Sequence, residues 1–92
     1  MTRKKLDAIV PIIGMEDRMI RFHLKKLIAD WEFERGRRLT LDELSQATGI
    51  HRTTLSRIAN LKGYNTTTDN IDAICRFFAC EVQQVMEYLE EN

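Results

Sequence analysis

The sequence has 92 residues, 43% of them hydrophobic, with one Pro, four Gly and a formal net charge of zero. That length suits one domain and hardly two, and the composition favours a chain that folds around a core over a long disordered tract. No apolar run approaches the roughly 18 residues that a membrane span needs, and the start lacks the pattern of a signal peptide. We therefore expect a cytoplasmic protein.

The charges are unevenly distributed along the chain. Residues 1–63 carry 13 Lys and Arg against 8 Asp and Glu, whereas residues 64–92 carry one Arg against six acids. Two halves of opposite sign allow a basic face that approaches phosphate and an acidic face that stays away from it. Because of this distribution, the zero net charge does not exclude nucleic acid as a partner.

Residues 1–18 are interpreted as an N-terminal arm. The β-branched run at 9–13 favours an extended conformation, and Pro11 within it restricts the run to an edge strand or an arm. Two roles stay open for the arm. The apolar run could form a dimer contact, or the basic residues Arg3, Lys4 and Lys5 could cross a minor groove.

The first predicted helix runs from about Arg18 or Met19 to Arg35, where Gly36 stops it. Its apolar residues recur at helical spacing and form one buried stripe. The stripe consists of Ile20, Leu24, Leu27, Ile28 and Trp31. We interpret Trp31 as a core residue rather than a platform for stacked bases.

Two short helices follow, joined by a turn at Gly49. Thr40 and Glu43 form the pattern of a capping box at the start of the second helix. The third helix, at about residues 52–61, turns Leu55 and Ile58 toward the core and leaves its polar residues outside. Gly49 permits a positive φ, so the chain turns sharply and the two helices cross at a steep angle.

A fourth helix is predicted to begin near Thr67 or Thr68, and a last short helix to span about residues 82–89. Cys75 and Cys80 have no nearby His and do not supply the four ligands of a metal site. We interpret them as small hydrophobic residues in a reducing cytosol, and we expect neither a metal nor a cofactor.

The stretch LDELSQATGIHRTTLSRI, residues 41–58, resembles the helix-turn-helix of the Cro/C1-type (XRE) family of phage repressors and bacterial regulators. The likeness extends to residues 19–24 and 72–80 and covers about residues 19–89. It implies an all-α, five-helix lambda-repressor-like domain at 19–92, following the arm. Members of the family bind operator DNA, usually as dimers, so we expect a transcriptional regulator that acts as a repressor.

The resemblance places DNA contacts on the third helix and at its flanks. The expected DNA-binding residues are Thr40, His51, Arg52, Thr53, Thr54, Ser56, Arg57, Asn60 and Lys62. Arg52 or Arg57 is expected to read a base, because Arg binds O6 and N7 of guanine bidentately. The alternative for each is a phosphate contact or an exposed Arg without a role.

Several positions depart from the family pattern. Leu41 stands where a phosphate-contacting Gln is common, and His51 replaces the usual Ser or Thr cap. Outside the motif, Arg37 and Arg38 could contact the DNA backbone or serve only solubility. Tyr64 in the loop after the third helix could pack on the core or reach the DNA.

Two other classes of function are alternatives to DNA binding. A protein-interaction module, such as an antitoxin bound to a partner toxin, is the alternative that the zero net charge and the acidic C-terminal third favour. An enzyme is not expected, because no spacing of His, Ser, Cys or carboxylates matches a catalytic motif and no Gly-rich phosphate loop is present.

Overall fold

The computed structural model describes residues 18–90. The elements in this range are β1 (Arg18–Phe22), α1 (Leu24–Arg35), α2 (Leu41–Thr48), α3 (Arg52–Asn60), α4 (Thr68–Phe78), α5 (Val82–Val85) and β2 (Met86–Glu90). The expected all-α class is therefore corrected to five helices plus one two-stranded antiparallel sheet within residues 18–90. Apart from Arg18, the predicted arm lies outside the described residues.

The predicted start of the first helix is wrong, because residues 18–22 form β1. This strand pairs with β2 in antiparallel register, with Ile20 opposite Tyr88 and Phe22 opposite Met86. The mostly apolar residues Met19, Ile20, Arg21 and Phe22 suit a strand as well as a helix, and pairing with β2 decides between the two. The amide of His23 extends the pairing, since it donates to the carbonyl of Val85 over 2.7 Å.

The predicted last helix is also shorter than expected. Its first turn forms α5, and residues 86–90 form the strand β2. A capping box, in which Glu81 and Gln84 each bond to the other's backbone amide, fixes the start of α5. The helix ends at Val85 after one turn, because residues 86–90 pair with β1 instead of continuing the helix.

The core lies between the helices and is entirely aliphatic. Its buried residues are Leu24, Leu39, Leu44, Ile50, Leu55, Ile58, Ile71, Ile74 and Val85. Trp31, Phe77 and Phe78 are half-buried at its edge, where the Trp31 and Phe77 rings stack at 6.2 Å between centroids. No helix within residues 18–90 is long and apolar enough to cross a bilayer.

Candidate nucleic-acid interface

The turn between α2 and α3 is fixed by hydroxyl groups as well as by glycine. Gly49 has a φ of 81°, and its amide donates to the carbonyl of Ser45 over 2.8 Å. The Ser45 hydroxyl donates to the carbonyl of Ile50 over 2.5 Å. The Thr48 hydroxyl donates to the Leu44 carbonyl and accepts from the Ile50 amide. These bonds satisfy the polar groups of the turn, so the angle between the two helices is well determined.

The start of α2 carries half of the predicted capping box. The Thr40 hydroxyl accepts a hydrogen bond from the Glu43 amide over 3.1 Å. The Glu43 carboxylate, which a full capping box would direct at the Thr40 amide, instead binds Arg37, with its Oε2 2.9 Å from Nη2. This hydrogen bond raises the pKa of Arg37 and lowers the pKa of Glu43.

Arg37 has a structural role within the protein. Its guanidinium lies 4.8 Å from the centroid of the Trp31 ring, and the guanidinium of Arg35 lies 4.9 Å from the same centroid. Together with the Glu43 contact, this cation–π packing attaches the α1–α2 loop to the aromatic edge of the core. The backbone contact considered for Arg37 would compete with both interactions.

Helix α3 is anchored on one side and open on the other. Leu55 and Ile58 are 0% and 2% exposed and face the core. The exposed residues of α3 and its cap are His51, Arg52, Thr53, Arg57 and Asn60, while Thr54 and Ser56 are half-buried. Of the expected DNA-binding residues, Thr40 and Lys62 are also exposed. Thr40 therefore lies at the start of α2, whereas the other expected residues lie on α3 or within two residues of it.

The side chains on this surface differ in whether they already have a partner. Arg52 pairs with Asp42, the two joined by Nε and Oδ1 at 3.1 Å. The Asn60 amide donates to the Ser56 carbonyl over 2.9 Å. Among residues 18–90, no carboxylate forms an ion pair with Arg57. The Asp42 contact joins two helices and has no signal in sequence spacing.

The charge on this surface is positive. From Leu44 to Thr68 the sequence contains no Asp or Glu, whereas it contains Arg52, Arg57 and Lys62. The three cations lie at the start, near the end and just beyond the end of α3. A positively charged surface attracts the phosphate groups of nucleic acid.

A groove of about 560 Å³ continues the surface past the end of α3. It lies between β1, the start of α1 and the turn after α3, and Arg21, Lys25, Lys26 and Lys62 line it. Lys26 also pairs with Asp30 at 3.0 Å. Arg21 on β1 thus lies in the same groove as Lys25 and Lys26 at the start of α1.

The remaining candidates lie against the core. Tyr64 is half-buried and packs on the core cluster, as do Cys75 and Cys80. Both cysteines are free thiols, and burial raises the pKa of Cys80, with a smaller contribution from Cys75. Within the described range, 18–90, no group of three His, Cys, Asp or Glu residues is arranged to hold a metal ion.

Comparison with known proteins gives one family and one related fold. The family model of the Cro/C1-type HTH DNA-binding domain matches residues 23–91. The crystal structure of the transcriptional regulator VanUg has a similar fold, with a TM-score of 0.57 at 20% identity over 82% of this chain and 91% of that one. No curated protein matches the sequence significantly.

Proposed function

The chain belongs to the Cro/C1-type helix-turn-helix DNA-binding family, and from that membership we propose that it is a sequence-specific transcriptional regulator. In this proposal α3 enters the major groove of double-stranded DNA, and the protein acts in the cytoplasm. Repression is the simplest outcome when such a protein occupies a promoter.

One observation carries the proposal: α3 is fixed by its buried side and presents polar and basic side chains on the other. Leu55 and Ile58 anchor it, and the hydroxyl-bonded turn sets its angle. An α-helix fits the major groove, and a rigid helix reads base edges without losing further conformational entropy. We assign base contacts to Arg52 and Arg57, and assign contacts with thymine methyl groups or phosphates to His51, Thr53, Thr54 and Ser56.

Phosphate contacts are assigned to the start of α2 and to the end of α3. Thr40 caps α2, and the first amides of that helix can donate hydrogen bonds to a phosphate oxygen beside it. Asn60 and Lys62 lie at the end of α3, where the groove lined by Arg21 and Lys25 continues the positive surface. Such contacts set the register of the protein on the duplex and supply affinity that does not depend on sequence.

Selection of bound sequences from a random duplex pool tests the proposal directly. We expect one recovered sequence, bound about a thousandfold or more tightly than a scrambled duplex at the same salt concentration. Equal binding to every duplex would contradict the proposal. It is also the result expected of a chain that acts only by docking a partner protein.

Two variants separate base readout from phosphate binding. Arg57→Ala should weaken binding to the selected duplex by about 1–3 kcal/mol and change the preferred base at one position. Lys62→Ala should weaken binding to both duplexes and lower the salt slope by about one. Arg76→Ala removes an exposed Arg from α4 and serves as the control that should change neither.

We also infer that the protein binds DNA as a homodimer. One α3 contacts only a few base pairs, and two copies about 34 Å apart would read two half-sites on one side of the duplex. The two-stranded sheet offers a contact, because Tyr88 is 58% and Ile20 38% exposed opposite each other. This contact lies within the apolar stretch at 86–89, while the apolar run at 9–13 lies outside the described residues.

Sedimentation tests the dimer independently of sequence readout. We expect two protein chains on each duplex that carries both half-sites, and a Tyr88→Ser variant should shift the equilibrium toward a single chain. A strictly monomeric complex at micromolar concentration would contradict the homodimer and leave the DNA-binding proposal intact.

A further inference from the structure

We propose that Asp42 is a positioning residue for base readout, which holds the guanidinium of Arg52 so that its terminal nitrogens face a guanine. The inference rests on the proposed function, because it assigns a role within the same DNA-binding surface. It concerns a residue outside the set expected to contact DNA.

The helix crossing creates the contact between the two residues. Asp42 lies in the first turn of α2 and Arg52 is the first residue of α3, ten positions later. Oδ1 of Asp42 lies 3.1 Å from Nε of Arg52. A carboxylate on the Nε side leaves Nη1 and Nη2 for a second partner. Those two nitrogens form the pair of donors that matches O6 and N7 of guanine.

The ion pair between Arg52 and Asp42 contributes little to the stability of the fold. The two side chains are 65% and 74% exposed, and ion pairs at such exposure contribute little in water. An unpaired acid at this place would also weaken DNA binding. Asp42 is two residues from Thr40, the helix start assigned to a phosphate, and it repels that phosphate.

The other acid of the helix pair is already occupied. Glu43 binds Arg37 of the α1–α2 loop, whose guanidinium also packs on Trp31. Asp42 is therefore the acidic residue of α2 that contacts α3. Its repulsion is present on any DNA, whereas an oriented Arg52 contributes binding only where a guanine is present. The pair thus raises the ratio of specific to non-specific affinity.

The experiment compares base preferences in the protein and four variants. Wild type, Asp42→Ala, Arg52→Ala, the double variant and Asp72→Ala are each used to select from a random duplex pool, which is then sequenced. Asp72 is the matched control, because it forms an exposed ion pair with Arg76 on α4 at 2.9 Å. Salt titration on one scrambled duplex measures the non-specific affinity of each protein.

We expect Arg52→Ala to lose the preference for guanine at one position of the selected sequence. Asp42→Ala should reduce the preference at that same position about tenfold and leave the others unchanged. Its binding to the scrambled duplex should tighten by about two- to fivefold at low salt, since one negative charge is removed. The double variant should lose no more than Arg52→Ala, and Asp72→Ala should behave as wild type.

The outcomes separate the two proposals. If the wild type selects a sequence and Asp42→Ala keeps every base preference, Asp42 only balances charge near the start of α3, and the positioning role is wrong. Arg52→Ala with unchanged preferences would overturn it equally. A wild type that selects no sequence would overturn the proposed function, and with it the positioning role.

Discussion

In the α2–α3 pair, the contacts that fix the geometry join residues a few positions apart, whereas the β1–β2 sheet joins the two ends of the described chain. Ser45 bonds to Ile50 and Thr48 to Leu44. Beside the sheet, Nε2 of His23 lies 2.6 Å from Oε1 of Glu87, which is 64 residues away along the chain. The helix pair thus depends on local hydrogen bonds above a buried core, while the sheet depends on long-range pairing of strands whose side chains are half-buried or exposed.

The largest expected difference between the two regions lies in apolar burial. Leu55→Ala should destabilise the fold by about 2–5 kcal/mol, because its side chain is 0% exposed and its loss leaves a cavity. Ile20→Ala in β1 should cost about 1 kcal/mol or less, because Ile20 is 38% exposed. Urea unfolding measures both. Equal costs would show that the sheet is as much a part of the core as α3.

The next effect concerns the turn of the helix pair. Gly49→Ala should cost about 1–2 kcal/mol, because a residue with a Cβ is strained at a φ of 81°. No atom lies within 4 Å of the added Cβ, so the cost comes from the backbone alone. Gly63→Ala, at a φ of 66° with similar open space, is the control. A much larger loss at Gly49 would mean that the α2–α3 crossing had also changed.

Folding kinetics sharpen the comparison between local and long-range contacts. Ser45→Ala and His23→Ala each remove one hydrogen bond, and each should cost about 0.5–1.5 kcal/mol. Local contacts can form before the chain ends meet, so Ser45→Ala should mainly slow refolding and His23→Ala should mainly speed unfolding. Stopped-flow refolding and unfolding in urea distinguish the two. The reverse assignment would indicate that the sheet forms first.

The same contrast decides what could be predicted from the sequence. The cap at Thr40, the turn at Gly49 and the buried Leu55 and Ile58 are local patterns, and the structure confirms each of them. Residues 18–22 and 86–90 carry apolar spacings that suit a helix or a strand, and only their mutual pairing resolves the choice.

The candidate site divides in a similar way. The exposed positions of α3 follow from the period of the helix, because Leu55 and Ile58 fix which side is buried. The partners of its charged residues do not follow from it. Asp42 meets Arg52, and the exposed Arg37 packs over Trp31 and binds Glu43, through contacts between elements. Side-chain partners of this kind depend on the angle at which two helices cross, which no spacing in the sequence specifies.

The smallest expected effect separates the two interactions of Arg37 by pH. Its hydrogen bond holds the pKa of Glu43 below the ordinary value of 4.5, so the stabilisation is present above that pH and is lost as Glu43 becomes protonated in acid. The packing over Trp31 has no such dependence, because Arg stays charged throughout. Arg37→Ala should therefore lower the urea midpoint slightly more at pH 7 than at pH 3, and Glu43→Gln should lower it only at pH 7. If the effect of Arg37→Ala disappears entirely at pH 3, the carboxylate alone anchors the loop. If the effect is the same at both pH values, the anchor is the aromatic contact, which belongs to the core edge and not to the start of α2.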